Sequence, residues 1–497
     1  MSRNTYLDSF MKSFEYMGLT FDDVTLVTQY ADFLPAETGL GADFTRHIRM
    51  NIPFVSAAMD TVTEAPMATA MAMQGGIGVI HKNLDPAEQA AQVSRVKHYL
   101  NGLINQPITF RDSNTLREVR ERRERKGYKF SGFPILDAED RLAGILTSRD
   151  MKFASDPNAN VSELMTREVI TAPRGTSLQD AYAIMRGNKV GKLPIVEDDG
   201  HLVGLYSYAD VQSLVENERP FYNRDSHYRL RAAAAVGPGD ELRVEQLAEE
   251  DVDALVVDTA HGHSEGVVAM TRWIKKHYPH IEVVAGNIAT GQAARDLCDA
   301  GADAVKVGIG PGSICTTRVV AGVGVPQISA IYEVARELDG EIPVIADGGI
   351  RHSGDIAKAL VAGANTVMMG SLLAGTEESP GEKILYQGRQ YVIYRGMGSL
   401  DAMRSRAGSR ERYGLGDAEE DELVPQGIEG MVPYAGTVQK VMIQFCGGLR
   451  SSLGYCGCRN PAELGERGRF LRITPAGVTE AHPHDVKITK EAPNYRS

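Results

Sequence analysis

Cys315 sits near the end of a glycine-rich loop, Gly308-Ile-Gly-Pro-Gly-Ser-Ile-Cys-Thr-Thr-Arg318, that follows an apolar run, Asp303-Ala-Val-Lys-Val-Gly308. Glycines let a backbone turn tightly enough for its N–H groups to face an anion, and a thiol held there can be a nucleophile. Only the thiolate attacks, and a free cysteine is a few per cent thiolate near neutrality. Loop amides or a helix N-terminus must therefore favour the anion. The plainer reading of a cysteine, a small apolar core residue, suits Cys298 on the apolar stripe of Gly291–Ala300. It suits Cys315 poorly, among Gly, Ser and Thr. Cys456 and Cys458, in Tyr455-Cys-Gly-Cys-Arg459, stand too close for a usual zinc pair; with Cys446 they read as structural.

Such a loop needs a scaffold. Short apolar runs at Pro53–Ala57, Ile77–Ile80, Ala232–Val236, Ala254–Asp258, Ile281–Gly286, Ala304–Gly308, Pro343–Asp347 and Thr366–Gly370 read as strands. Amphipathic segments lie between most of them, as at Ser264–His277, Gly291–Ala300, Ala330–Leu338 and Ser353–Ala362. Near-continuous apolar strands separated by helices make parallel sheets buried on both faces. Eight such units predict an α/β chain built as a closed (β/α)8 TIM barrel rather than an open sheet.

Chemistry in such barrels gathers at the C-terminal strand ends. Met59-Asp-Thr-Val-Thr-Glu64 follows the first strand, Asp258-Thr-Ala-His-Gly-His263 closes the fourth, and Asn287 follows the fifth. The cysteine loop follows the sixth, Asp347-Gly-Gly-Ile350 the seventh, and Gly370-Ser371 the eighth. The last two ends form the usual phosphate site, to which Ser313 can add a hydroxyl, and Asp347 is placed to accept from ribose hydroxyls. Each residue also has a plainer role: Asp258 and Asp347 can cap helices, Asn287 can hold a turn, and Met397 can pack a core.

About 150 residues separate the second and third strands, far more than a βα connection needs. They contain a repeat. Phe133-Pro-Ile-Leu, an acidic turn, and Thr147-Ser-Arg-Asp150 parallel Leu193-Pro-Ile-Val, an acidic turn, and Ser207-Tyr-Ala-Asp210. The repeat resembles a tandem pair of CBS modules, a Bateman domain. That resemblance implies ATP or GTP binding through Thr147 with Asp150 and Ser207 with Asp210. The same hydroxyls also read as helix N-caps. The predicted division is barrel at 1–98, CBS pair at 99–222, and barrel again at 223–497. Tyr394 to Tyr434, rich in Gly, Arg and acidic residues without a period, reads as a mobile loop, with a flap at about 395–434.

Lys and Arg number 53 against 65 Asp and Glu, a net charge of −12 that leaves no footprint for nucleic acid. The run Leu116-Arg-Glu-Val-Arg-Glu-Arg-Arg-Glu-Arg-Lys126 interleaves both signs at helical spacing and reads as a solvated helix face. No stretch is long and apolar enough for a membrane span, and the N-terminus lacks an apolar signal region. A cytoplasmic location is expected.

Several segments together resemble the inosine-5′-monophosphate (IMP) dehydrogenase family, over nearly the whole chain and in its bacterial form. They are the cysteine loop with Gly322-Val-Gly-Val-Pro-Gln327, Val55-Ser-Ala-Ala-Met-Asp-Thr-Val-Thr-Glu64, Ala346-Asp-Gly-Gly-Ile350, Tyr394-Arg-Gly-Met-Gly-Ser-Leu-Asp-Ala-Met403 and the CBS insertion. The resemblance implies that Cys315 adds to the purine C2 of IMP, that hydride passes to NAD, and that the covalent thioimidate is hydrolysed to XMP. Thr317 matches a water or substrate contact beside the nucleophile. Ser409-Arg-Glu-Arg-Tyr413 matches the flap, giving Arg412 the base role with Tyr413 as partner. A guanidinium is an unusual base and needs help from Tyr413 or a shielded site.

The resemblance further assigns Ser313, Gly349, Gly370, Ser371 and Tyr394 to phosphate and Asp347 to ribose. Gly396, Met397, Gly398 and Gln426 go to the substrate base, and Asp258, Asn287, Gly308 and Gly310 to the nicotinamide riboside. It implies a monovalent cation, usually K+, on the carbonyls of Gly310, Gly312 and Cys315. Glu480, Ala481 and His482 of a neighbouring subunit would complete that site in a homotetramer that can pair into an octamer. Some relatives carry glycines where Ala481 and His482 stand. His482 and His484, without a second pair of ligands, do not make a zinc site. Two rivals remain open: GMP reductase, which lacks the Arg-Tyr flap, and a nucleotide-sensing CBS protein with an inactive barrel.

Overall fold

The computed structural model describes residues 4–99, 103–104, 107–126, 132–216, 221–405, 407–413 and 422–495. The chain divides into two compact units. One comprises residues 1–97, 221–223 and 230–497; the other comprises 98–220 and 224–229.

The first unit is a closed barrel of eight strands: β1 (Phe54–Ser56), β2 (Ile77–Ile80), β3 (Ala233–Val236), β4 (Ala254–Asp258), β5 (Glu282–Ile288), β6 (Ala304–Val307), β7 (Val344–Asp347) and β8 (Thr366–Met369). Every neighbouring pair is parallel, and β8 pairs with β1 to close the ring. This is the (β/α)8 architecture expected from the sequence. Both strand faces are buried, so the strands carry no polar alternation. Side chains still alternate in direction: Ala233, Ala235, Val256, Val284 and Ile345 fill the barrel interior, while Ala234, Val236, Leu255 and Val257 pack beneath the helices.

The helices bury one stripe each. Glu265–His277 buries Val267, Met270, Thr271 and Ile274 at helical spacing and ends on Lys275, Lys276 and His277, which suit the negative end of its dipole. Two boundaries differ from the sequence reading by more than one residue. Gln327–Leu338 starts three residues before Ala330, directly after Pro326. Strand β5 runs on to Ile288, so Asn287 lies inside it rather than after it. Among the described residues, no helix is long and apolar enough to cross a membrane.

The second unit shows the sequence repeat as two similar hairpins. Phe133–Leu136 pairs with Leu142–Leu146, and Lys192–Val196 pairs with Leu202–Ser207. Each pairing is irregular at the same point, Ile135/Leu136 in one and Ile195/Val196 in the other. Each hairpin has its own core, around Phe133 and Leu146 in the first and Leu193 and Tyr206 in the second. In the helix Leu116–Lys126, Leu116 and Val119 are buried beneath the charged face.

Ile345 is fully buried inside the barrel. Ile345→Ala should destabilise the barrel by about 2–5 kcal/mol, the range for deleting a large aliphatic side chain from a core. Chemical denaturation of the full chain checks this, and a loss below about 1 kcal/mol contradicts the interior assignment.

Candidate active site

A lysine anchors the mouth of the barrel. Lys306 shares the inward face of β6 with Ala304, while Val305 and Val307 face the helices. Its side chain is only 1% exposed. The ammonium donates to Asp258 Oδ1 at 2.9 Å, to Asp347 Oδ2 at 2.8 Å, and to Asn287 Oδ1. Asn287 in turn donates to Asp347 Oδ2 and to the Gly308 carbonyl, both at 2.9 Å. One cation thus ties together the ends of β4, β5 and β7. Its signal in the sequence was a lone lysine at an inward position of an apolar strand, a position the motif-based reading passed over.

The cysteine loop is held from both flanks. Arg318 donates to the carbonyls of Ile309 at 2.9 Å and Val325 at 2.6 Å, so the loop folds around its guanidinium. Thr316 N–H donates to Gln426 O and Ile428 N–H to Ile314 O, both at 3.0 Å, which stitches the loop to the segment 426–428. Gly396 donates to the Ile428 carbonyl and Gln426 to that of Gly398, which adds a third layer. Cys315 Sγ lies 3.2 Å from the Thr317 hydroxyl and remains partly exposed.

The described residues of 394–434 form regular elements rather than a single loop. They include part of a three-stranded antiparallel sheet, Lys383–Tyr386, Arg389–Arg395 and Glu429–Pro433, and two short helices, Leu400–Ser405 and Ala407–Arg412. Residues 406 and 414–421 of the expected flap lie outside the described residues. The helix Ala407–Arg412 ends against β4: Ala260 N–H donates to the Arg412 carbonyl at 3.0 Å, and the Arg412 guanidinium contacts Asp258 Oδ2. Burial holds this guanidinium below its ordinary pKa against the pull of Tyr413. Burial pushes the Tyr413 phenol up, opposed by Arg412. Gly398 makes room for this ring, since a Cβ there would lie 2.6 Å from Tyr413.

These groups line one cleft of about 130 Å³. Asp258, Asn287, Gly308, Gly310, Gly312, Ser313, Cys315, Asp347, Gly349, Gly370, Ser371, Tyr394, Gly396, Met397, Arg412, Tyr413 and Gln426 all face it, and so does Lys306. Tyr394 is buried beside Ser313, and that burial pushes its phenol well up, leaving the hydroxyl a donor at neutral pH. Arg395 clamps Asp60, with Nη2 2.7 Å from Oδ2 and Nε 3.2 Å from both oxygens, and joins this wall to the end of β1. A larger cleft, about 310 Å³, opens at the other end of the barrel beside Thr45, Pro343 and Asn365, away from these groups.

The remaining candidates lie apart from the cleft lining. Glu480 and Ala481 close the helix Pro475–Ala481, and His482 Nδ1 lies 2.9 Å from the Tyr495 hydroxyl. In the second unit Thr147 caps Ser148–Phe153 in a reciprocal capping box: Thr147 N–H donates to Asp150 Oδ2 at 2.7 Å, Asp150 N–H donates to the Thr147 hydroxyl oxygen at 3.4 Å, and that hydroxyl also donates to Asp150 Oδ2 at 2.7 Å. Ser207 ends its strand, nearly buried, and Asp210 stands in the first turn of Tyr208–Glu216. Cys298, Cys456 and Cys458 are buried, and all five cysteines are free.

The family model described as IMP dehydrogenase / GMP reductase domain matches residues 18–484. The chain belongs to that family. It is 53% identical over 486 residues to an inosine-5′-monophosphate dehydrogenase of Aquifex aeolicus, covering 96% of this chain and 97% of that one. It is 50% identical over 489 residues to the enzyme of the same name from Bacillus subtilis, covering 97% and 98%. Among solved structures, a cysteine-to-alanine GMP reductase of Trypanosoma brucei in complex with guanosine 5′-monophosphate matches at a TM-score of 0.78 and 39% identity, covering 95% of this chain and 98% of that one. The similarity to dehydrogenases exceeds that to the reductase.

Removing the central cation should leave Asp258 and Asp347 without their shared ammonium, with only Arg412 on the first and Asn287 on the second. Lys306→Met is expected to cost about 3–5 kcal/mol, the scale of a broken buried ion pair. A thermal midpoint within about 2 °C of the parent protein's would contradict this.

Proposed function

We propose that the chain oxidises IMP to XMP with NAD+ as hydride acceptor, through a covalent adduct on Cys315. The observation that carries this reading is the meeting of Cys315, Arg412 and Tyr413 in one cleft whose floor is tied by Lys306. In this reading Ser313, Gly349, Gly370, Ser371 and Tyr394 take the phosphate of IMP. Asp347 accepts from the ribose diol, and Gly396, Met397, Gly398 and Gln426 border the base. The thiolate of Cys315 adds to C2 and forms a C–S bond. The C2–H electron pair then leaves as hydride, and NAD+ supplies the acceptor. Arg412, with Tyr413 beside it, takes a proton from water. The hydroxide adds to C2, the C–S bond breaks, and its electrons return to sulfur. IMP, NAD+ and water thereby give XMP, NADH and a proton. Thr317, 3.2 Å from the sulfur, can hold the water or the substrate edge.

Asp258, Asn287, Gly308 and Gly310 would hold the nicotinamide riboside. Asp258 bonds Lys306 through one oxygen and Arg412 through the other. The Arg412 guanidinium lies in the same cleft and covers that oxygen on the side a ribose diol would approach, so in this reading Arg412 and the dinucleotide take turns. That order suits the reaction, since water must be kept from C2 until hydride has left.

A K+ ion fits the cysteine loop by donor chemistry. Among the described residues, the carbonyls of Gly310 and Cys315 accept no hydrogen bond, and that of Gly312 accepts only from Cys315 N–H. Carbonyls suit a weakly hydrated monovalent cation. Glu480, Ala481 and His482 of a neighbouring subunit in a homotetramer would complete the shell, and the ion would stiffen the loop. The second unit is read as a tandem CBS pair that binds ATP or GTP through Thr147, Asp150, Ser207 and Asp210 and governs activity or octamer assembly. In the reciprocal cap, Thr147 and Asp150 currently bond each other. The chain is placed in the cytoplasm as an enzyme of guanine nucleotide synthesis.

A GMP reductase reading draws on the solved reductase at 39% identity and predicts conversion of GMP with NADPH to IMP. The dehydrogenase reading is overturned if the purified chain does that and leaves IMP with NAD+ untouched. Cys315→Ala should abolish NADH production from IMP, as read at 340 nm, and full retention would reject the mechanism. Arg412→Ala should still form the Cys315 adduct, seen by intact mass, while turnover falls about 10²- to 10⁴-fold, the usual range for a lost acid–base group. Because the base must be unprotonated, adduct hydrolysis should rise with pH in the parent protein. That rise should vanish in Arg412→Ala, and a matching slope in both would remove Arg412 from the step.

A further inference from the structure

We propose that Glu411 is a positioning residue whose ion pair with Lys82 latches the helix Ala407–Arg412 onto the end of β2 and so holds Arg412 over Cys315. The inference rests on the function proposed above. Lys82 follows β2, and its side chain is only 5% exposed. Its ammonium lies 2.9 Å from Glu411 Oε2 and 3.4 Å from Asp240 Oδ2. That oxygen of Asp240 already accepts from Gly237 N–H at 2.7 Å and faces Arg243 Nε at 3.4 Å. Asp240 is therefore shared among three donors, and Glu411 is the nearer carboxylate. A cation this buried needs a paired anion, and Glu411 reaches it only when the helix is seated.

The seat has a second, uncharged half. A Cβ on Gly408 would lie 2.7 Å from the Lys82 carbonyl oxygen and 3.4 Å from Asn83 Cα, so the helix backbone lies flush on the strand end. Ser409 beside it is fully buried. At the other end of the helix the Arg412 carbonyl accepts from Ala260 N–H, and its guanidinium reaches Asp258. Five consecutive residues thus bridge the ends of β2 and β4. Glu411 lies outside the cleft lining, so its effect passes through the placement of Arg412. Because the dinucleotide and Arg412 compete for Asp258, the seated state must form after hydride transfer. The latch acts on hydrolysis and leaves adduct formation alone.

The test uses the full-length chain with IMP, NAD+ and K+, rapid quenching, and intact-mass detection of the Cys315 adduct. In Glu411→Gln, and separately in Gly408→Ala, adduct formation should stay within about twofold of the parent rate. Adduct decay should slow roughly 3- to 10-fold, the scale of one charge-assisted hydrogen bond at a half-exposed site. The steady-state adduct fraction should rise, and Glu411→Asp should recover part of the loss. Decay within twofold of the parent rate in Glu411→Gln overturns the latch, whatever Gly408→Ala does. Equal slowing of formation and decay also overturns it, since that marks a general structural defect. Absence of any adduct in the parent protein defeats the proposed function instead, so the two failures are distinguishable.

Discussion

The geometry of the barrel mouth depends on one buried ammonium. Lys306 places a cation where three strand ends meet and brings Asp258, Asn287 and Asp347 within hydrogen-bond reach of a common centre. Two carboxylates so close would repel each other without it. The arrangement stabilises a pair of acceptors that face the cleft in fixed positions, and diol recognition needs such acceptors. It also explains an inward lysine on β6 in a layer otherwise filled by Ala, Val and Ile. The cost of burying that charge is offset by its partners only as a complete set, so the residues of the network cannot be exchanged one at a time.

In the proposed reaction the same network gives the site two states. Asp258 offers one oxygen to Lys306 and the other to Arg412. Whatever replaces Arg412 on that second oxygen must be another donor, and a ribose hydroxyl qualifies. A single carboxylate can therefore register whether the mouth is closed by protein or filled by a dinucleotide. On the other side of the cleft, Arg318 in the cysteine loop and the Asp60–Arg395 clamp fix the wall that carries Cys315.

The parts legible in sequence were those written as local pattern. Eight apolar runs between helices gave the barrel, and glycine clusters with Cys315, Asp347 and Gly370 marked the strand ends facing the cleft. Three things were harder to see. Asn287 reads as a turn residue because an Asn after an apolar run resembles a strand end, yet β5 continues to Ile288. The described part of 394–434 lacks a period because its short sheet and helices are held by the barrel and by the cysteine loop, through contacts such as Ile428 N–H with the Ile314 carbonyl and Arg395 with Asp60, rather than by an amphipathic stripe of their own. Lys306, Lys82 and Arg318 carry no motif. Each is defined by partners distant in sequence, and only the closed barrel brings those partners together.

The insertion raises a different constraint, because β2 must pair with β3 although residues 98–220 intervene. Loop-closure entropy grows only as the logarithm of length, so even a flexible chain of this length in place of a five-residue loop would cost at most about 3 kcal/mol. Both junctions carry contacts that offset a cost of that size. Lys97, 1% exposed on the departing side, donates to Asp253 Oδ2 at 2.7 Å, and the same oxygen accepts from Ala232 N–H just before β3. On the returning side Asn223 donates from its backbone to Ala72 O at 2.8 Å and from its side chain to Gly76 O at 2.9 Å. The barrel is thus closed on either side of the insertion by its own residues. The β2 end, where Lys82 meets Glu411, belongs to the same compact unit as these closing contacts.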